Sequence, residues 1–161
     1  MAPAAPSAKP VVLLWRLEGE RLLAPSAAPV RAWPVGSLVK PFIVEAWARA
    51  HPAETPARMV CGPESRCWLA GGHGPVDLPR AMALSCNAYF LRLASEVPLH
   101  LLKRVLEEDG FIVPPEIDAQ SVLGLDAAVD VPVIEPRSLL KAYVRLGREP
   151  WLSGESLRKD V

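Results

Sequence analysis

The chain has 161 residues, enough for one domain or for part of a larger one. Half of it is apolar and 22% is charged, a balance that can bury a core and excludes a disordered composition. Eighteen basic residues against 18 acidic ones leave no net charge, so nothing calls for a nucleic-acid partner. No apolar run approaches the roughly 18 residues that span a bilayer, and Met1 to Pro10 lacks the basic head and apolar segment of a secretory signal. Localisation is therefore not readable from the residues themselves.

In chain order, residues 1–10 read as a flexible Ala/Pro lead-in, and 11–161 as one structural unit. Val11 to Leu17 is rich in β-branched and aromatic residues and suits a strand. Glu18-Gly19-Glu20 is a turn signal, and Arg21 to Ala24 returns as a second strand, giving a hairpin. Pro25 to Pro34 is a proline-punctuated connection. Ser37 to about Ala50 predicts a helix, with Phe42, Ile43, Ala46, Trp47 and Ala50 at helical spacing on its core face. His51 to Gly74 reads as irregular. Asp77 is a candidate helix cap with Pro79 in the first turn. A helix to about Leu84 is interrupted at Ser85-Cys86-Asn87 and resumes over Ala88 to Ala94. Leu99 to Glu108 is amphipathic, closed by Gly110. Residues 111–135 read mostly as loop. Pro136 opens a helix through Leu146, ended by Gly147, and Trp151 to Val161 begins a further helix.

Within this order, Gly36-Ser37-Leu38-Val39-Lys40 sets a serine three residues before a lysine at a helix start. Residues three apart share a helical face, so Lys40 can reach the Ser37 hydroxyl. A serine becomes a competent nucleophile when a neighbouring base takes its proton, and a desolvated amine can be that base. Gly36 is expected to leave room for a close approach of backbone or substrate. About fifty residues on, Ser85-Cys86-Asn87 adds a hydroxyl and an amide. Together with an amine these form a small polar network able to orient a nucleophile.

Ser-x-x-Lys followed by Ser-x-Asn resembles the penicillin-binding transpeptidases and their serine β-lactamase relatives. Gly36-Ser-Leu-Val-Lys-Pro-Phe42 is similar to the family's Gly-Ser-x-x-Lys-Pro-Phe. Arg66 to Leu78, with Gly71-Gly72-His73-Gly74 inside it, resembles the approach to the second motif in elongation-type members. Leu14 to Ala24 resembles the domain's opening hairpin, and Glu135 to Tyr143 the helix that precedes the third motif. The resemblance covers roughly residues 11–147, in the family's order.

It implies an α/β (α+β) fold: a β-lactamase/transpeptidase-like helical subdomain plus the first hairpin of an antiparallel sheet that is otherwise incomplete. It implies catalytic roles for Ser37 as nucleophile, Lys40 as its base, Ser85 as proton relay and Asn87 as the group holding Lys40 and the substrate amide. Ser37, Ser85 and Asn87 would also bind substrate. The substrate would be a peptidoglycan stem peptide, with β-lactam antibiotics acylating the same serine and cell-wall synthesis proteins as partners. No cofactor and no metal are implied for the reaction. The family's substrate lies outside the cytoplasmic membrane, which points to a membrane-associated, periplasmic or extracytoplasmic setting.

The family's third motif, Lys-Thr/Ser-Gly, does not occur; Ser153-Gly154 lacks the lysine. In the family that strand supplies one of two oxyanion donors, the other being the Ser37 backbone N–H. The chain is thus expected to be the front part of a transpeptidase domain, with weak or no activity on its own, since one lost donor costs on the order of 10²–10³ in rate. The rival expectation is a non-catalytic remnant or partner-binding module. A β-lactamase or β-lactam sensor ranks lower, because Lys40-Pro41-Phe42 and the Gly-Gly-His-Gly stretch look more like the synthetic enzymes.

Three cysteines, Cys61, Cys67 and Cys86, allow at most one internal disulfide. Some elongation-type relatives bind zinc near Cys61, Cys67 and His73, but C-x5-C…H is not a standard zinc spacing. Unpaired thiols are favoured here over a disulfide, and a disulfide over a metal. Cys86 reads as a small apolar residue packed inward. His51 and His100 read as surface or helix-end residues, and the tryptophans, Tyr89 and Phe90 as core or pocket wall.

Overall fold

A computed structural model of the chain describes residues 16–18, 21–23, 32–125 and 130–148. The chain divides into two compact units, residues 1–30 and 31–161. In the first, β1 (Arg16–Glu18) pairs antiparallel with β2 (Arg21–Leu23), Leu17 opposite Leu22. The hairpin expected from the Glu18-Gly19-Glu20 signal is present with short strands. The lead-in at 1–10, the strand start at Val11 and the helix expected beyond Trp151 lie outside the described residues.

The second unit is built around α1 (Lys40–Ala50), entered through a 3-10 turn over Gly36–Val39. Pro41 falls in its first turn, where a missing N–H leaves no broken ladder bond. Phe42, Ile43, Ala46 and Trp47 form its core face as the spacing predicts, but Val44 and Glu45 are buried too. The helix is wrapped on nearly all sides. Burying each large apolar side chain stabilises by about 1.5–3 kcal/mol, so this helix is a principal anchor of the unit.

Around it pack α3 (Asn87–Glu96) and α4 (Leu99–Glu108), contributing Tyr89, Phe90 and Leu93, and Leu102, Val105 and Leu106. Helix α2 (Leu78–Ala83) begins at Asp77, whose carboxylate accepts from the Arg80 N–H at 3.0 Å. A short α5 (Ala119–Val122) is held by an Asp118/Ser121 capping box. Helix α6 (Pro136–Leu146) lays Tyr143 edge-on against Phe42, with ring centroids 5.6 Å apart.

Two further strand pairs lie in this unit. β3 (Trp33–Pro34) pairs with β6 (Val133–Ile134), and β4 (Met59–Cys61) with β5 (Gly74–Val76). The second pair corrects the expectation of an irregular stretch from His51 to Gly74. Pro75, which donates nothing to a ladder, is tolerated because a two-stranded ribbon has only edges. The described residues thus form helices with three two-stranded antiparallel pairs, a helix-rich α+β arrangement with an incomplete sheet. No helix among the described residues is long and apolar enough to cross a membrane.

Candidate active site

Gly36 takes φ +53°, a conformation that costs an L side chain roughly 1–2 kcal/mol. A Cβ there would meet nothing within 4 Å, so no neighbouring backbone requires the glycine and its φ is what the bend needs. The bend starts the 3-10 turn, which presents Ser37 at the surface and carries Lys40 inward to 1% exposure. The Tyr143 hydroxyl donates to the Leu38 carbonyl at 2.8 Å and braces the turn from α6.

Ser85 sits in the tight link between α2 and α3, also left-handed at φ +50°. The Cys86 N–H donates to the Ala81 carbonyl at 2.9 Å and folds the link back on α2. Asn87 opens α3. This link and the first turn of α1 meet at the Lys40 amine. Nζ donates to Ser37 Oγ at 3.1 Å, Ser85 Oγ at 2.7 Å, the Ser85 carbonyl at 2.7 Å and Asn87 Oδ1 at 2.8 Å. Ser85 Oγ donates to Ser37 Oγ at 3.0 Å. The structure therefore brings Ser37, Lys40, Ser85 and Asn87 together in one cluster.

The four acceptors around Nζ are of two kinds. The Ser85 carbonyl and Asn87 Oδ1 can only accept, whereas the hydroxyls of Ser37 and Ser85 can also donate. A neutral amine has two protons and one lone pair. In that form it keeps N–H donors for the two carbonyl oxygens, and because the Ser85 proton goes to Ser37, the Ser37 hydroxyl is the one that can donate to the lone pair. Burial lowers Lys40 from the ordinary lysine value to about 8, while the nearby Cys86 and Cys67 work the other way. The Phe90 ring, 5.4 Å from Nζ, closes the apolar side. Trp68, 62% exposed, donates its indole N–H to the Ser85 carbonyl at 3.2 Å.

Behind Ser85 lies a second cluster. One donor atom from each of Cys61, Cys67, His73 and Cys86 lies within 4.8 Å of the others. His73 Nδ1 is 3.6 Å from Cys61 Sγ and 3.4 Å from Cys67 Sγ, and Cys67 Sγ is 3.9 Å from Cys86 Sγ. Tetrahedral zinc bound by thiolates and an imidazole holds its ligands roughly 3.6–3.8 Å apart. The donor set and spacing thus fit a structural zinc ion. Cys86 is packed inward, as expected of a small apolar residue, and its sulfur is also the fourth donor of this cluster. C-x5-C…H lacked a fourth ligand, and the fold supplies it from inside the Ser-x-Asn motif.

The cluster's electrostatics agree. Burial pushes the Cys67 thiol up, but N–H groups of Leu69, Ala88 and Asn87 outweigh it and bring Cys67 below the ordinary thiol range. Two of those donors belong to the first turn of α3, the positive end of a helix. Burial raises the Cys86 thiol. His73 Nε2 is buried without a protein partner, so the polar compensation of the ring comes through Nδ1 and the thiols. His51, by contrast, stacks on Trp47 at the end of α1, and His100 lies in α4, both away from this cluster.

The helices and the meeting of the two motifs define the class: the chain has the fold of part of a penicillin-binding transpeptidase domain and is related to such domains in sequence. It is 30% identical over 146 residues to the peptidoglycan D,D-transpeptidase MrdA of Haemophilus influenzae, a match covering 84% of this chain and 21% of that protein. Helicobacter pylori penicillin-binding protein PBP2, solved in complex with MreC, superposes with a TM-score of 0.55 at 19% identity, covering 67% of this chain and 26% of that one. The same protein solved by itself gives 0.55 at 17% identity, covering 70% and 27%. The chain spans about a fifth of the length of the curated relative it matches. No family model matches it.

Proposed function

We propose that this chain carries the nucleophile and its base for D,D-transpeptidase-type acyl transfer in peptidoglycan cross-linking. The observation that carries this is the sorting of acceptors around Lys40, which suits a neutral amine with its lone pair toward Ser37. In the reaction, Ser37 Oγ attacks the carbonyl of a D-alanyl-D-alanine stem peptide and its proton passes to Lys40 Nζ. The Ser37 backbone N–H supplies one oxyanion donor. Ser85, hydrogen-bonded to both Ser37 and Lys40, carries a proton on to the leaving amine. Asn87 holds the amine and the substrate amide. A second stem-peptide amine, or water, then releases the acyl group, and β-lactams acylate the same oxygen.

The same reading puts a structural zinc ion on Cys61, Cys67, His73 and Cys86. Its chemistry there is to tie the Cys61–His73 segment to the start of α3; the Ser37 reaction does not pass through it. Residues 11–161 act as the front part of the transpeptidase domain, on the extracytoplasmic side of the membrane. A cell-wall synthesis protein as partner is supported by the PBP2–MreC complex.

The test is prolonged incubation of the chain with a fluorescent penicillin, followed by intact-mass and peptide mapping. A slow adduct on Ser37 is expected, absent in Ser37→Ala and Lys40→Met. Because Lys40 acts as the neutral amine, the rate should rise with pH through about 8. An adduct that survives Ser37→Ala, or an unchanged rate in Lys40→Met, would refute the assignment.

A further inference from the structure

We infer that Cys67 and Cys86 are a metal-guarded dithiol, which closes to an intramolecular disulfide whenever the cluster lacks its ion. This rests on the zinc reading above for the guarding and on geometry alone for the pairing. All three thiols are free, and the Cys67 and Cys86 sulfurs stand 3.9 Å apart. A disulfide needs about 2.05 Å, so the sulfurs must approach by roughly 2 Å. Cys86 is fixed by its N–H bond to Ala81 and is fully buried. Cys67 is partly exposed, in a segment turned at Leu69–Gly72. Cys67 is therefore the thiol that an oxidant meets first and the one that moves. Cys61, fully buried in β4, is fixed in another way: its carbonyl packs against Gly72, where a Cβ would come within 2.1 Å of the oxygen.

With a small disulfide such as oxidised glutathione as oxidant, the steps balance. The Cys67 thiolate attacks one sulfur of the oxidant, forming a mixed disulfide and releasing one thiolate. The Cys86 thiolate attacks the Cys67 sulfur and releases the second. Two protein thiols lose two electrons and two protons, and the oxidant leaves as two thiols. A zinc ion bound to Cys67 would suppress the first step, because it would draw charge from the thiolate sulfur and hold it in place. The closed disulfide in turn removes two of the four ligands, so zinc and disulfide are alternative occupants of one site. Closure also reaches the Lys40 cluster. Trp68, next to Cys67, holds the Ser85 carbonyl, and Cys86 lies between Ser85 and Asn87.

The test uses the whole chain, stripped of metal by a chelator under reducing conditions, then freed of both. Oxidised glutathione is added with and without prior zinc, thiols are counted after denaturation, and cross-linked peptides are mapped. Without zinc the count should fall from three to one, with a Cys67–Cys86 cross-link; with zinc all three should persist. In Cys86→Ser, glutathione should stay trapped on Cys67, while Cys61→Ser should still cross-link. Three surviving thiols in the metal-free chain, a cross-link through Cys61, or equal oxidation with and without zinc would each overturn the inference. None of these readouts involves Ser37, so failure here leaves the acyl-transfer reading to its own test.

Discussion

Helix α1 carries two buried polar networks about a turn and a half apart, and they are built on opposite principles. At its start Lys40 is buried among neutral partners: two hydroxyls, a carbonyl and an amide oxygen. Further along, Glu45 is buried against guanidinium groups. Arg145 from α6 grips it with Nη1–Oε1 at 3.0 Å and Nη2–Oε2 at 2.5 Å, and Arg49 adds a contact at 2.6 Å. Arg145 also grips Asp109 at the end of α4, at 2.8 and 2.6 Å. Its hydrogen bonds to Asp109 and then Glu45 raise the Arg145 guanidinium further above its ordinary range. One network pairs every charge and joins three helices. The other leaves an amine in a dry site with neutral partners, so its proton is easily lost. Similar burial thus fixes structure in one place and, in the other, lowers the pKa of an amine.

The comparison breaks hardest at Arg145. Arg145→Ala leaves two buried carboxylates short of their cation and should cost about 3–5 kcal/mol in urea unfolding. Next comes the bend before the nucleophile. Gly36→Ala has free space for its methyl group, so only the left-handed backbone is taxed. A loss of about 1–2 kcal/mol is expected, together with slower labelling of Ser37 by penicillin. The smallest effect on stability belongs to Lys40→Met, which should stay within about 1 kcal/mol at neutral pH, since a desolvated charge is removed along with its hydrogen bonds.

Lys40→Met should instead differ in its pH profile. The folded value of Lys40, about 8, lies below the ordinary 10.5. Between those values the unfolded chain binds more protons, so stability rises with pH there and is lost as pH falls through about 8. That rise should be present in the parent chain and missing in Lys40→Met. Equal slopes would mean that Lys40 is not desolvated.

How much of this was legible follows from sequence distance. Ser37 and Lys40 are three apart, and helical geometry alone predicts their contact. Ser85 and Asn87 stand out only through a family pattern, because nothing local says that they return to Lys40. The core face of α1 follows from its periodicity, but burial of Glu45 does not, since its partner is 100 residues away. β4 and β5 are three residues each and hold a glycine and a proline, too short for a period of two to register. The inward packing of Cys86 follows from its type, but its place in a four-donor cluster does not. Its neighbours in sequence are apolar or belong to another motif, and its companions Cys61, Cys67 and His73 arrive only through the strand pair and the turn at Gly72.

The hydrogen bond from Tyr143 to the Leu38 carbonyl links the turn of the reactive serine to a residue 105 positions later. A chain emerging from the ribosome makes α1 long before α6 exists. Until Tyr143 is out and docked, the turn lacks its brace and Glu45 lacks its principal cation. The turn that presents Ser37 would therefore reach its final geometry late in synthesis, once the helical unit is finished.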